Sequence, residues 1–316
     1  MPLIATLTLN PAMDLSVSTA RVTSTEKLRC SLPRHDPGGG GINVARVVKT
    51  LGGKAVAVYP AGGPFGDLLQ RSLDELGLVH RPVSIAGDTR ESFTVDELES
   101  GLQYRFVLPG PTLSAQELQR CLDGLAALQP APLFVVLSGS FPPGVGLSFY
   151  DELLALTRGI GARLVVDLSG EPLRYAARQG GTYLMKPSLD ELSTLMSRAV
   201  TSETEQEQAL RSLIVQGCAE IVVLSLGAEG ALYACGDALQ RLPSADVPVV
   251  SAVGAGDSML GAIVLALAEG CSLQDAVRRG IAAGASTVMR PGTELCRRED
   301  VQRLLPTKES DSSRVG

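Results

Sequence analysis

The chain has no tryptophan, and aromatic residues make up only 4% of its 316 residues. A core must therefore be aliphatic, built from Leu, Val, Ile and Ala. Histidine is nearly absent, with only His35 and His80. Six cysteines, at 30, 121, 218, 235, 271 and 296, are scattered without a C-x-x-C pair. That spacing provides no zinc framework and reads as reduced thiols in a cytoplasmic protein. The first residues, "MPLIATLTLNPAMD", have neither the basic region nor the long apolar core of a signal peptide. The longest apolar run, around Met259 to Ala268, falls well short of the roughly 20 residues a membrane span needs. Net charge is −6, against a general nucleic-acid surface. A small anionic ligand stays open, since it needs only a few cations and backbone N–H groups. Two nucleotide signatures are also missing: the G-x-x-x-x-G-K-[ST] loop and the G-x-G-x-x-G fingerprint. An ATP-using enzyme of this sequence has to hold its nucleotide by other means.

What is present is an ordinary globular composition, 45% hydrophobic and 20% charged. Short buried strand patterns, such as "KAVAVYPA", "LFVVLSGS", "ARLVVDLSG" and "EIVVLSLG", alternate with helical segments of 10–15 residues. The alternation predicts an α/β fold, a mostly parallel doubly wound sheet with helices on both faces. Early strand-like stretches at 14–17, 26–31 and 81–109 break the alternation. They predict a small antiparallel β lid inserted at about 14–32 and 82–108 into one domain spanning 1–308, with a flexible tail at 309–316.

Glycine clusters mark the candidate site. In "SAVGAGDSMLGAIV", Gly254, Ala255 and Gly256 lead into Asp257 and an apolar helical run. A helix N-terminus offers unpaired N–H groups and a partial positive charge, and small residues let a ligand approach the backbone. The stretch is an anion hole in the making. Asp257 has two competing roles: a plain N-cap, or a base that takes a hydroxyl proton beside that hole. Gly38 to Gly41 precede "INVAR", where Gly39 lets the backbone wrap a ligand and Asn43 can bond sugar hydroxyls. Lys27 and Arg29, at i and i+2 of an expected strand, share a face. They suit a phosphate or are simply solvated, and Arg90 beyond a turn carries the same pair of readings. Ser225, Gly227 and Gly230 follow a buried strand, where doubly wound sheets bind ligands, or else form a plain β-turn.

Two long motifs, "GGGGINVARVVKTLGG" and "SAVGAGDSMLGAIV", resemble the signatures of the ribokinase-like sugar kinases, the phosphofructokinase B family. The resemblance runs from "TLTLNPAMD" to "GTELC". "KLRC", "QYRFVLPG" and "SGSFPPGV" bring the chain nearest to the family's 6-phosphofructokinase branch. The 1-phosphofructokinases and tagatose-6-phosphate kinases share much of this, although the former usually carry lysine where this chain has Gly40. The resemblance implies ATP-dependent phosphorylation of fructose 6-phosphate at its C1 hydroxyl, with Mg-ATP as co-substrate. It also implies a homodimer through the lid. It gives Asp257 as base and Gly254, Ala255 and Gly256 as anion hole. Asp14, Gly39, Asn43 and Ser140 fall at sugar positions, and Lys27, Arg29 and Arg90 at the sugar phosphate. Lys186, Ser188, Ser225, Gly227 and Gly230 fall on the nucleotide side, with Glu191 serving Mg²⁺ through water. The family's usual N-x-x-E is here "SLDE", so Ser188 stands where Asn is expected. Glu294 lies near a loop that in relatives holds a monovalent cation, and K⁺ dependence stays open. A non-catalytic sugar-phosphate sensor on the same fold is the reading from a different class.

Overall fold

The computed structural model describes residues 1–305, which contain thirteen strands and ten helices. In chain order the strands are β1 (Leu3–Leu7), β2 (Ala12–Thr19), β3 (Arg34–Gly38), β4 (Lys54–Ala61), β5 (His80–Ser84), β6 (Arg90–Glu97) and β7 (Gln103–Val107). Then follow β8 (Phe134–Ser138), β9 (Arg163–Asp167), β10 (Thr182–Met185), β11 (Ala219–Ser225), β12 (Ala231–Cys235) and β13 (Ala238–Leu242). The helices are α1 (Gly40–Thr50), α2 (Gly63–Glu75), α3 (Ala115–Ala126), α4 (Phe149–Gly159), α5 (Gly170–Gln179), α6 (Leu189–Leu195), α7 (Glu203–Val215), α8 (Ala255–Ala268), α9 (Leu273–Val288) and α10 (Arg298–Leu304).

Nine strands form one sheet in the order β13-β12-β11-β10-β9-β8-β1-β4-β5. Every pair is parallel from β11 to β5, and β12 and β13 add an antiparallel edge. Near-continuous apolar strands such as Phe134–Ser138 are buried on both faces, as a parallel sheet covered by helices requires. Two aliphatic clusters fill the two faces. One includes Val44, Val47, Leu260, Ile263 and Val277, and the other Leu122, Leu153, Leu173 and Leu210. Each such side chain contributes roughly 1.5–3 kcal/mol when fully buried. Helix α8 is apolar all round and buried, which fixes its N-terminus firmly in place. A Cβ on Gly261 would lie 2.9 Å from Val47, and one on Gly280 would lie 2.5 Å from Ile263, so α1, α8 and α9 pack at close range.

The second sheet has the order β3-β2-β6-β7. Its outer pairs are antiparallel, while the central pair β2–β6 runs parallel. Two boundaries differ from the expectations above. Residues 26–31 form no strand. Their alternating pattern runs beside β2 with Ser31 N–H bonded to the Ser18 carbonyl at 2.8 Å, but no ladder forms. The strand instead is Arg34–Gly38, whose Pro37 is tolerated because β3 is an edge. Likewise β5 pairs with β4 in the large sheet, so the second lid segment begins at Arg90 rather than near 82. Helix α10 has no counterpart among the elements expected from sequence, and the expected tail at 309–316 lies outside the described residues.

Candidate active site

Five neighbouring strands of the large sheet end at one place. Thr8 follows β1, Ser138 closes β8, Asp167 closes β9, Lys186 follows β10, and Ser225 closes β11. The carboxyl ends of strands in an open α/β sheet are where ligands bind. Helix α8 delivers its N-terminus to the same place.

Gly254 is the N-cap of α8, in the left-handed conformation with φ 76°. That conformation suits glycine, and a Cβ there would also sit 2.7 Å from Leu295. Asp257 is therefore the third residue of the helix. The N-cap reading of Asp257 is corrected: the cap is Gly254, and no side chain caps this helix. The Asp257 Oδ2 instead accepts from Asn43 Nδ2 at 2.9 Å, across 214 residues of sequence. Burial first, then the Asp167 carboxylate, push the Asp257 carboxyl up from 3.8 to about 7, against the Asn43 hydrogen bond and the Lys186 charge. A carboxyl that titrates near neutrality, beside free helix N–H groups, is a base matched to hydroxyl activation.

Lys186 is buried and pairs with Asp167 at 3.1 Å. Its ammonium would lie 3.4 Å from a Cβ on Gly256, so it lines the anion hole. On one side of that hole, a cavity of about 490 Å³ is lined by Ser225, Gly227, Gly230, Val249, Ala255 and Met259, among others. The slot is largely apolar, its volume is that of a small-molecule site, and Gly256 is among its lining residues.

On the other side lie the lid residues. The Asp14 carboxyl is pushed up to about 6, mainly by burial, while Arg90 and Arg105 pull it down. A Cβ on Gly38 would land 2.1 Å from Asp14 Oδ2, and one on Gly40 would land 2.2 Å from Ser138 Oγ. Glycine at those positions is what lets the loop into α1 pass so close. Gly39, at φ 113°, caps α1 and places Asn43 one turn in. Ser140 Oγ accepts from Asn10 Nδ2 at 2.9 Å, and the Asn10 carbonyl accepts from Arg90 at 3.2 Å. Arg90 also donates to the Leu108 carbonyl at 3.0 Å, so its guanidinium is held at the base of the lid.

Lys27 and Arg29 are not brought in. Both are exposed on the irregular stretch between β2 and β3, and the shared strand face expected for them does not exist. Ser188 acts locally, as the N-cap of α6. Its Oγ accepts from Glu191 N at 3.3 Å, while Glu191 Oε2 accepts from Ser188 N at 2.8 Å. Among the described residues no cluster of three or more His, Cys, Asp or Glu is arranged as a metal cage. Mg²⁺ fits all the same, because it keeps several waters and binds through one or two carboxylates plus phosphates. The capping box commits one oxygen of Glu191, and Glu191 is close enough to raise Lys186. Glu294 is committed: Arg34 holds one oxygen at 2.9 Å and Arg297 the other at 3.4 Å.

Three residues of the site were not singled out from sequence. Asp167 stands at the carboxyl end of a parallel strand, a position that could have marked it. Arg46, three residues after Asn43 on α1, shares its helix face and donates to its Oδ1 at 3.1 Å. Arg105 reaches Asp14 from β7, and nothing local in the sequence marks it.

A carboxyl of near-neutral affinity at a helix-terminal anion hole, set between an apolar slot and an arginine-bordered lid, defines a small-molecule phosphotransferase. The pfkB family carbohydrate kinase model matches residues 7–300, and the chain belongs to that family. It is 47% identical over 303 residues to the ATP-dependent 6-phosphofructokinase isozyme 2 of Mycobacterium tuberculosis, covering 96% of this chain and 89% of that one. It is 40% identical to the isozyme 2 of Escherichia coli, covering 95% and 97%. The E. coli phosphofructokinase-2 solved in complex with fructose-6-phosphate matches with TM-score 0.91 at 39% identity, over 96% of this chain and 98% of that one. That enzyme has also been solved with potassium and as a tetrameric inhibited form. A 1-phosphofructokinase of Bacillus subtilis is more distant, at 33% identity over 96% of this chain and 98% of that one. No helix among the described residues is long and apolar enough to cross a membrane.

Proposed function

We propose that the chain transfers the γ-phosphoryl group of ATP to the C1 hydroxyl of fructose 6-phosphate, giving fructose 1,6-bisphosphate and ADP. The observation that carries this reading is Asp257, a carboxyl titrating near 7 at the junction of the two half-sites. Asp257 accepts the C1 hydroxyl proton as that oxygen attacks the γ-phosphorus in line, and ADP leaves with the electrons of the broken P–O bond. The N–H groups of Gly254, Ala255, Gly256 and Asp257 hold the charge on the phosphoryl group in flight, with Lys186 beside them. Asn43 orients the base. Asp14, Gly39 and Ser140 position the sugar, and Arg90 takes its 6-phosphate, with Arg105 as a second cation. Lys27 and Arg29 join only if the 20–33 stretch closes over the sugar. Ser225, Gly227 and Gly230 hold the nucleotide. Mg²⁺, when bound with ATP, neutralises phosphate charge, and Glu191 serves it through water. We do not assign Glu294 to potassium, since both its oxygens already face arginines.

The lid exposes Leu32 at 93%, Leu102 at 58% and Val107 at 63%. Val107 lies on the edge strand β7, while Leu32 precedes β3 and Leu102 lies between β6 and β7; exposed apolar side chains in the lid region support a second copy of the lid as their cover. A homodimer through the lid is the assembly we propose on that exposure.

The test is an ADP-release assay with Mg-ATP against fructose 6-phosphate, tagatose 6-phosphate, fructose 1-phosphate and ribose, each in K⁺ and in Na⁺. A preference for fructose 6-phosphate of about tenfold or more in kcat/KM is expected, equal to about 1.4 kcal/mol at the transition state. Preference for another sugar keeps the mechanism and replaces the substrate. No turnover with any of them leaves the sensor reading.

A further inference from the structure

The Asn43–Asp257 hydrogen bond requires the Asn43 amide to face one way, and one residue outside the reacting centre controls which way. Arg46 Nη1 donates to the Pro37 carbonyl at 2.7 Å and to Asn43 Oδ1 at 3.1 Å. A guanidinium can only donate. With Arg46 in place the amide oxygen must turn toward it, which leaves Asn43 Nδ2 for Asp257. A flipped amide would set two donors against each other at Arg46 and two acceptors against each other at an ionised Asp257.

We propose that Arg46 is a positioning residue for the phosphoryl transfer, fixing the orientation of the Asn43 amide through a bridge anchored on Pro37. The inference rests on Asp257 being the base. It also ties that base to the lid. Pro37 belongs to β3, so the carbonyl that aims Arg46 is carried by a lid strand. The charged groups around this bridge are Arg34 and Asp36 from β3, Asp14 from β2 and Asp257 from α8. Asp257 in turn faces Asp167, Lys186 and Asp14. A cavity of about 390 Å³ lined by Arg34, Asp36, Arg46, Lys49 and Glu294 opens behind the guanidinium, so a small cation can reach the position from outside.

The experiment is a double-mutant cycle, with kcat measured across pH for wild type, R46M, N43A and R46M/N43A. R46M is expected to lower kcat about tenfold, a loss typical of one hydrogen bond in a charged network. The acid limb should move up by about half a pH unit, because an unaimed Asn43 no longer favours ionised Asp257. KM for ATP should hold. In the N43A background the same substitution should add little. An equal drop with or without Asn43, or an unmoved acid limb, overturns the proposal. R46A supplies a second reading: millimolar guanidinium chloride, far below denaturing levels, should restore part of kcat in R46A and none in R46A/N43A. Rescue in both, or in neither, also overturns it. The two readings fail separately. If Asp257 is not the base, D257N stays active. If only the Arg46 proposal is wrong, D257N is inactive while the cycle is additive.

Discussion

Removing the carboxylate of Asp257 should make the protein worse as a catalyst and more stable. The group is raised from 3.8 to about 7 by burial and by Asp167. Because the folded carboxyl titrates above its unfolded value, the folded state binds the proton more tightly. Its stabilisation is complete below about pH 4 and is lost as pH rises through about 7. A rise of that size corresponds to at most about 4 kcal/mol, at about 1.4 kcal/mol per pH unit. The side chain is only partly buried, so solvent screening brings the expected figure to about 1–2 kcal/mol. Asp257→Asn keeps the shape and the bond from Asn43 but has no charge to bury. Its melting temperature at pH 8 should therefore exceed wild type by roughly 3 °C. The gap should shrink toward pH 5, where the wild-type carboxyl is itself neutral. Turnover should fall by roughly 10²–10⁴ above pH 7, where the wild-type carboxylate is ionised, and the deficit should narrow as pH drops below 7. Differential scanning fluorimetry at pH 5 and 8, with the ADP-release assay on the same samples, gives both answers. A variant that melts at or below wild type at pH 8 would refute the electrostatic account of this site. Near-wild-type turnover would remove Asp257 from the chemistry.

Three further outcomes are expected. The kcat profile of the wild type should fall about tenfold per pH unit below 7, as the base is protonated, and more steeply below 6, where Asp14 also titrates; a flat profile from 5 to 8 would contradict both shifts. Arg90→Ala should raise KM for the sugar phosphate far more than KM for ATP, because its partners are Asn10, Leu108 and Asp14 on the lid side; equal changes in initial-rate measurements would argue against a phosphate role. Ser188→Ala should cost about 1 kcal/mol by breaking the α6 capping box and should raise the Mg²⁺ concentration needed for half-maximal rate, whereas Ser188→Asn should cap as well as Ser; thermal melts and a Mg²⁺ titration distinguish them.

The parts of this site that the sequence displays are those written in local chemistry. Gly254-Ala255-Gly256-Asp257 can be read because a run of small residues before an apolar helix has few other uses. The alternating strands and helices can be read because each buried strand is apolar on both faces. The lid is harder. "EKLRCS" has the alternation of a strand but finds no ladder partner, while "RHDPG" has almost no strand propensity and is made a strand by β2. Whether a segment pairs is decided by its neighbours in space. The same holds for Arg46, Asp167 and Arg105. Each acts through a contact or a charge set by the fold, and only their positions, one helical turn after Asn43 and the end of β9, leave a trace in the chain.

The parallel pairing of β2 with β6 has a consequence for how this molecule is assembled and rebuilt. Two antiparallel strands can close as a hairpin by themselves, but β2 and β6 are separated by seventy residues that include β4, β5 and two helices. The lid has no contiguous stretch of chain that encodes it. Its central pair joins segments far apart in the chain, and such non-local parallel pairing is slow to form. For the same reason the lid cannot be moved to another protein as a cassette. Transplanting it means carrying the first hundred residues with it, and with them the Gly-rich loop and Asn43.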